Sequence, residues 1–175
     1  VCEGDKTEPN YFRRFRVNSR VCEVHVMGLG DNTSSLVRQT CDLVRQGDYT
    51  WVWCVFDRDS FPAEQFNLAL DLAQRNGIDV AYSNEAFELW YLLHFVYLDA
   101  AIPRASYGPM LTKHLGEPYR KNAGTMYDRL VEFQPDAITN AKRLLDSYGP
   151  EHRPERDNPC TTVHLLVEQL NQYSH

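Results

Sequence analysis

Residues 51–59 read WVWCVFDRD, an unbroken apolar run closed by two acids one residue apart. The run is rich in aromatic and β-branched side chains and suits a strand buried on both faces, which calls for helices above and below it. The flanking sequence supplies them. Leu36, Val37, Cys41 and Val44 recur at helical spacing up to Gly47. Phe66, Ala69, Leu70 and Ala73 do the same between Pro62 and Arg75, and Asn76-Gly77 ends the pattern. IDVAYS (78–83) is the next short strand, and residues 21–27 alternate as another, followed by the loop and cap GLGDNTSS. Upstream, Val1 to Glu3 reads as the end of a strand that begins before residue 1. TEPNYFRRF then reads as a helix with Thr7 as its cap and Pro9 in its first turn. Strands separated by helices of crossover length predict an α/β fold. Residues 1–84 are expected to form a Rossmann-like, mostly parallel, doubly wound sheet flanked by helices.

After Asn84 the pattern changes. FELWYLLHFVYL (87–98) is too apolar and too long for another strand and reads as a buried helix. Helical stretches follow near 107–115, 123–131 and 135–147. SYGPEHRPERDNP (147–159) is punctuated as a loop. Thr161 to Tyr173 closes the chain as a helix with Val163, Leu166, Val167 and Leu170 on one face. Residues 85–175 are therefore expected to be a helical extension packed on the α/β core as one unit.

The 175 residues are 43% hydrophobic, which excludes a disordered chain. No apolar run approaches the roughly 20 residues that span a bilayer, so no membrane association is expected. The five cysteines are odd in number and lack a C-x-x-C spacing, which speaks against a zinc site or a disulfide framework. Cys2, Cys22 and Cys54 read as small core residues, and a reducing cytoplasm suits them. The net charge of −6 is not that of a strongly basic nucleic-acid binder. Arg13, Arg14, Arg16 and Arg20 form a local basic cluster or a solvated helix face.

In an open α/β sheet, ligands bind beyond the carboxyl ends of the strands. Glu3 ends the first strand, and Asp57 and Asp59 end the strand at 51–56. Alternate residues of an extended segment point the same way, so both Asp side chains address one place and a neighbouring strand brings Glu3 to it. Three carboxylates on one rim repel one another and call for a hard cation such as Mg²⁺ or Mn²⁺. An Asp after a strand also serves as a turn or cap residue, and Asp59-Ser60-Phe61-Pro62 has that form. Glu88 lies among Phe87, Leu89, Trp90, Leu92, Leu93 and Phe95 and must be paired, ligated or protonated there. Asn84 precedes that helix as a cap or site residue. His94 is expected to be a hydrogen-bonded core histidine.

Four stretches together resemble the RloB-like (AbiLii-type) family: CEGDKTEPNYF (2–12), WCVFDRD (53–59), YSNEAFELWYLLHF (82–95) and NPCTTVHLLVEQL (158–170). The E-G after one strand and D-x-D after another also look like the toprim domain of topoisomerases, primases and overcoming-lysogenization-defect nucleases. The resemblance implies a magnesium-dependent nuclease acting on DNA or RNA. It further implies an effector of bacterial anti-phage defence of the abortive-infection kind, with a partner ATPase encoded at the same locus. Carried over, Glu3 is a metal ligand or general acid/base, and Asp57 and Asp59 are metal ligands. Glu8, the second acid of E-G-x-x-T-E, and Glu88 of F-E-L-W join the metal site. Lys6 is a candidate phosphate contact or a surface lysine. Asn158 and Thr161 match N-P-x-T as candidate substrate contacts, Thr161 also as a helix cap. Lys142, in Thr-Asn-Ala-Lys, is a candidate for transition-state charge stabilisation or a solvated helix lysine.

Two other readings stay open. D-x-D also resembles haloacid-dehalogenase-like phosphatases, in which Asp57 would be a nucleophile, although a late G-D-x-x-x-D element is missing. A non-catalytic adaptor of the partner ATPase is the third. DNA versus RNA, the number of metal ions and the oligomeric state are not written in the sequence.

Overall fold

The computed structural model describes every residue except Cys22, Asp31, Asn32, Ser60, Phe61 and His175. The expected core role of Cys22 and the Ser60-Phe61 part of the turn lie outside the described residues. Strand β1 (Trp53–Arg58) pairs in parallel with β2 (Asp79–Asn84), Trp53 facing Asp79 and Asp57 facing Ser83. Helix α3 (Ala63–Arg75) makes the crossover between them. Before it come α1 (Thr7–Phe12) and α2 (Thr33–Gln46). After β2 come α4 (Glu88–Leu93), α5 (Arg104–Leu115), α6 (Met126–Leu130), α7 (Gln134–Asp146) and α8 (Val163–Asn171).

Two short segments lengthen the sheet on either side. Residues 1–3 run beside β1: the Glu3 N–H donates to Val55 O at 2.8 Å and the Val55 N–H to Val1 O at 2.8 Å. On the other side, Thr161 bridges Ser83 in antiparallel sense, and the Thr162 N–H donates to Tyr82 O at 2.9 Å. The continuous apolar character of 51–56 follows from what covers it. Cys54, Phe56 and Tyr82 face Leu36, Val37, Phe66, Ala69 and Ala73 of α2 and α3. Val55 and Ala81 face the opposite way, into a larger cluster with Tyr11, Phe12, Trp90, Leu92 and Val167. Both clusters draw residues from before and after Asn84, Cys160 closing the smaller one.

The sheet formed by the described residues is narrower than the one expected from sequence. The described residues of the alternating segment 21–27 form no strand. Its far end reaches Cys2 through the Cys2 N–H to Met27 O bond at 2.7 Å. Glu23, Val24, His25 and Met27 stay exposed. The rest of the segment stands off β1 across an apolar cavity of about 400 Å³, lined by Val24, Val26, Leu43, Trp51 and Leu170. Alternation marked a two-faced segment, but pairing needs a neighbour at hydrogen-bonding distance. Thr7 is not a cap either: it sits inside α1, and its hydroxyl donates to Asn122 Oδ1 at 2.7 Å.

The helix expected over 87–98 is confined to Glu88–Leu93, with all six residues buried. His94 follows it, 2% exposed, its Nδ1 on Trp90 O at 2.8 Å and its ring edge-on to Trp90. Burial holds its pKa down, from 6.5 to about 4. A lowered folded-state pKa gives stability that is complete above pH 6.5 and is lost as the pH falls toward 4. That loss is on the order of 3 kcal/mol. Replacing His94 with Gln is expected to remove this part of the acid-side loss. Denaturation curves of both proteins at pH 7 and pH 4 check it, and an unchanged wild-type-minus-variant difference would count against the neutral buried histidine.

Candidate active site

The carboxyl edge of the sheet gathers acids from separate parts of the chain. Glu3 leaves its segment pointing at β1, where Oε2 accepts the Asp57 backbone N–H at 3.1 Å. Its Oε1 accepts the Thr33 hydroxyl at 2.9 Å, at the first residue of α2. Burial pushes the Glu3 carboxyl above its ordinary value; these two donors oppose the shift and the Asp59 charge adds to it. Asp57 ends the buried part of β1 and is 7% exposed. Its carboxyl is raised well above the usual range, by burial first and then by the charges of Glu8, Glu88 and Glu3, against the pull of Arg104.

Gly4 explains how Glu8 joins them. A Cβ at Gly4 would collide with Glu8 Oε2, so the carboxylate of α1 folds back over the turn that follows Glu3. Glu8 is 7% exposed and its Oε2 has no hydrogen-bond partner. Burial, then Glu88 and Glu3, raise its pKa. An acid oxygen buried without a donor calls for a proton or a cation. Gly28 is also held by close approach, since a Cβ there would lie 2.5 Å from Gly4 O. Glu88, at the start of α4, is buried and accepts the Tyr119 hydroxyl at 3.0 Å.

Arg104 completes the rim. It is the first residue of α5, and its two terminal nitrogens reach separate acids, Asp57 Oδ2 at 3.1 Å and Asp59 Oδ2 at 3.5 Å. Glu85, next to the rim, has φ 70°, a left-handed conformation unusual for a side-chain-bearing residue. Its Oε1 accepts the Asn158 amide at 3.2 Å. Tyr107 of α5 is 1% exposed with an unpartnered hydroxyl, in the field of Glu85, Asp57 and Glu88.

The other sequence candidates divide by place. Asn84 is buried and pins the C-terminal loop, its amide donating to Asp157 O at 2.8 Å. Thr161 is 1% exposed and ties that loop to β2, its hydroxyl on Tyr82 O at 3.1 Å and Ser83 Oγ at 2.9 Å. It also accepts the first N–H of α8, from Val163, at 3.3 Å. Asn158 follows the same loop, at a cis bond to Pro159. Lys6 is exposed at the start of α1. Lys142 is paired with Glu168 at 2.5 Å on the surface between α7 and α8. Arg104, Tyr119, Thr33 and Glu85 were not singled out from sequence.

Among the described residues, no three His, Cys, Asp or Glu side chains are close enough together to hold a metal ion. At Asp57 and Asp59 the place of a cation is taken by Arg104, one nitrogen on each. The donor chemistry still fits a hard cation. The acids offer only oxygen, and Glu8 Oε2 is buried without a partner over Gly4, the residue after Glu3.

The profile of the RloB-like protein family matches residues 1–170. The chain belongs to the RloB-like family. No curated protein and no solved structure matches it. No helix among the described residues is long and apolar enough to cross a membrane.

Proposed function

We propose that this protein is a toprim-type, metal-dependent nuclease that hydrolyses a phosphodiester of DNA or RNA. One observation carries the reading: Glu3 and Asp57, from separate segments, meet at the carboxyl edge of a parallel sheet, with Glu3 Oε2 on the Asp57 N–H at 3.1 Å. That is where the fold class places its chemistry. Glu3, Glu8, Asp57, Asp59 and Glu88 are the residues that would hold Mg²⁺ or Mn²⁺. When bound, such an ion polarises the phosphoryl oxygen and steadies the charge that develops on it.

In hydrolysis a water oxygen bonds to phosphorus, the P–O bond to the leaving nucleoside breaks, and the water proton must go to a base. Glu3 suits that role, since burial brings its carboxyl toward the working pH. The phage-defence role and a partner ATPase belong to the same proposal and rest on the family resemblance; the cytoplasmic location belongs to it too and rests on the cysteine pattern.

The test is incubation with DNA, total RNA and purified tRNA in Mg²⁺, Mn²⁺ or EDTA. Cleavage of at least one substrate with either metal, and none in EDTA, is expected. Cleavage undiminished by EDTA would refute the reading.

A further inference from the structure

Asp57 and Asp59 already have a cation. Arg104 spans them with one guanidinium nitrogen on each, at 3.1 and 3.5 Å, rather than gripping one carboxylate with both. A fork shared between two acids is held less firmly than a bidentate pair with one. Its position is also unusual. The first turn of a helix favours acids, because the macrodipole is positive there, yet α5 begins with an arginine directly after Pro103. The acids of the sheet edge offset that cost. The helix itself is fixed, with Tyr107 and Leu111 buried on its inner face. The Arg104 side chain is not: 44% of it is exposed, so it has an open side toward which to turn.

One guanidinium does not neutralise the rim. Glu3, Glu8 and Glu88 add their charge to that of Asp57 and Asp59, and Glu8 Oε2 has no donor at all. A divalent ion at these acids would face the positive charge of Arg104 on the oxygens it needs. The two cations compete for Asp57 and Asp59. Once displaced, a guanidinium on a fixed helix at the rim is placed to take a phosphate, the ligand its planar fork matches.

We propose that Arg104 is a resident counter-cation that divalent metal must displace from Asp57 and Asp59, and that the displaced guanidinium then binds the nucleic-acid phosphate. The proposal rests on the metal-dependent reading above.

The experiment is calorimetric titration of Mn²⁺ into the wild type, Arg104→Ala and Arg104→Lys, with thermal melts in EDTA and in Mn²⁺. Removing the competitor is expected to tighten Mn²⁺ binding on the order of tenfold in Arg104→Ala. Arg104→Lys, which keeps the charge but not the fork, should fall between the two. In EDTA, Arg104→Ala should melt below the wild type, and Mn²⁺ should restore it. A merely structural ion pair would leave that deficit in place. With Ca²⁺ replacing Mn²⁺, fluorescence anisotropy of a labelled oligonucleotide should show weaker binding to Arg104→Ala than to the wild type. Mn²⁺ binding to Arg104→Ala no tighter than to the wild type overturns the proposal and leaves the metal reading standing. Absence of Mn²⁺ binding to all three folded proteins overturns both.

Discussion

Replacing Asp57 with Asn is expected to abolish metal-dependent cleavage and to raise the melting midpoint of the metal-free protein. The two effects have one cause. Asp57 is 7% exposed, and its carboxyl is pushed well up by burial and by Glu8, Glu88 and Glu3 despite Arg104. The net direction shows which effect wins: burial and repulsion exceed the attraction of the guanidinium. Asn keeps the shape, keeps an oxygen for Arg104 and keeps the backbone N–H that Glu3 accepts. It removes only the buried charge. Arg104 is not stranded, being 44% exposed and still beside Asp59. Replacing a whole buried ion pair by apolar groups of similar volume is often neutral or stabilising by about 1–4 kcal/mol, and removing one partner destabilises when it leaves the other buried and unpaired, which Arg104 is not. For a chain of this size each kcal/mol moves the midpoint by about 2–4 °C. Cleavage should fall by at least about a thousandfold, since several kcal/mol of charge stabilisation at the phosphoryl group goes with it. A gel assay and a melt in EDTA read both effects. Wild-type cleavage by the Asn variant sinks the assignment of Asp57. A lower midpoint would mean that the carboxylate is there to hold the fold.

The sequence displays the parts of this site that lie on regular elements. WVWCVF announced a strand covered on both faces, and Cys54 and Phe56 on one side with Val55 on the other bear that out. From that strand alone the rule of carboxyl edges placed Asp57, and the same rule brought Glu3 to it. What stayed hidden depends on distances between residues far apart in the chain. Arg104 lies 47 residues beyond Asp57 in a stretch without a motif. A cation directly after Pro103, at the wrong end of a helix for its charge, was the signal that could have exposed it. Tyr119 reaches Glu88 from an irregular segment 31 residues away, and nothing local marks it. The segment 21–27 shows the converse limit: its alternation was plain, but whether it pairs depends on a gap that no pattern reports. Lys142 lay in a stretch resembling the family pattern, yet its ammonium is engaged by Glu168, a neighbour known only from how α7 lies against α8.

Metal should change how stability depends on pH, and Glu8 is the residue that isolates the effect. Glu3, Glu8 and Asp57 all have folded-state values above the ordinary carboxylate range. Between the ordinary and raised values the folded protein therefore holds more protons than the unfolded chain. Their contribution is complete below about pH 4 and is lost as the pH rises through the raised values. His94 acts in the opposite sense between 6.5 and about 4, so the raw curve mixes the two. The difference between the wild type and Glu8→Gln separates them, because only the carboxyl is changed. In EDTA the variant should be the more stable protein near pH 8, with the advantage shrinking toward pH 4. Mn²⁺ at about a hundred times its dissociation constant should stabilise the wild type by about 2.7 kcal/mol near pH 8. It should do much less at pH 5, where protons compete for the same oxygens. Glu8→Gln should gain less from the metal at either pH, having lost the oxygen that is buried without a donor. If the Glu8→Gln advantage in EDTA does not vary with pH, Glu8 is not charged at a cost. If Mn²⁺ raises both midpoints equally, Glu8 does not help to hold the ion.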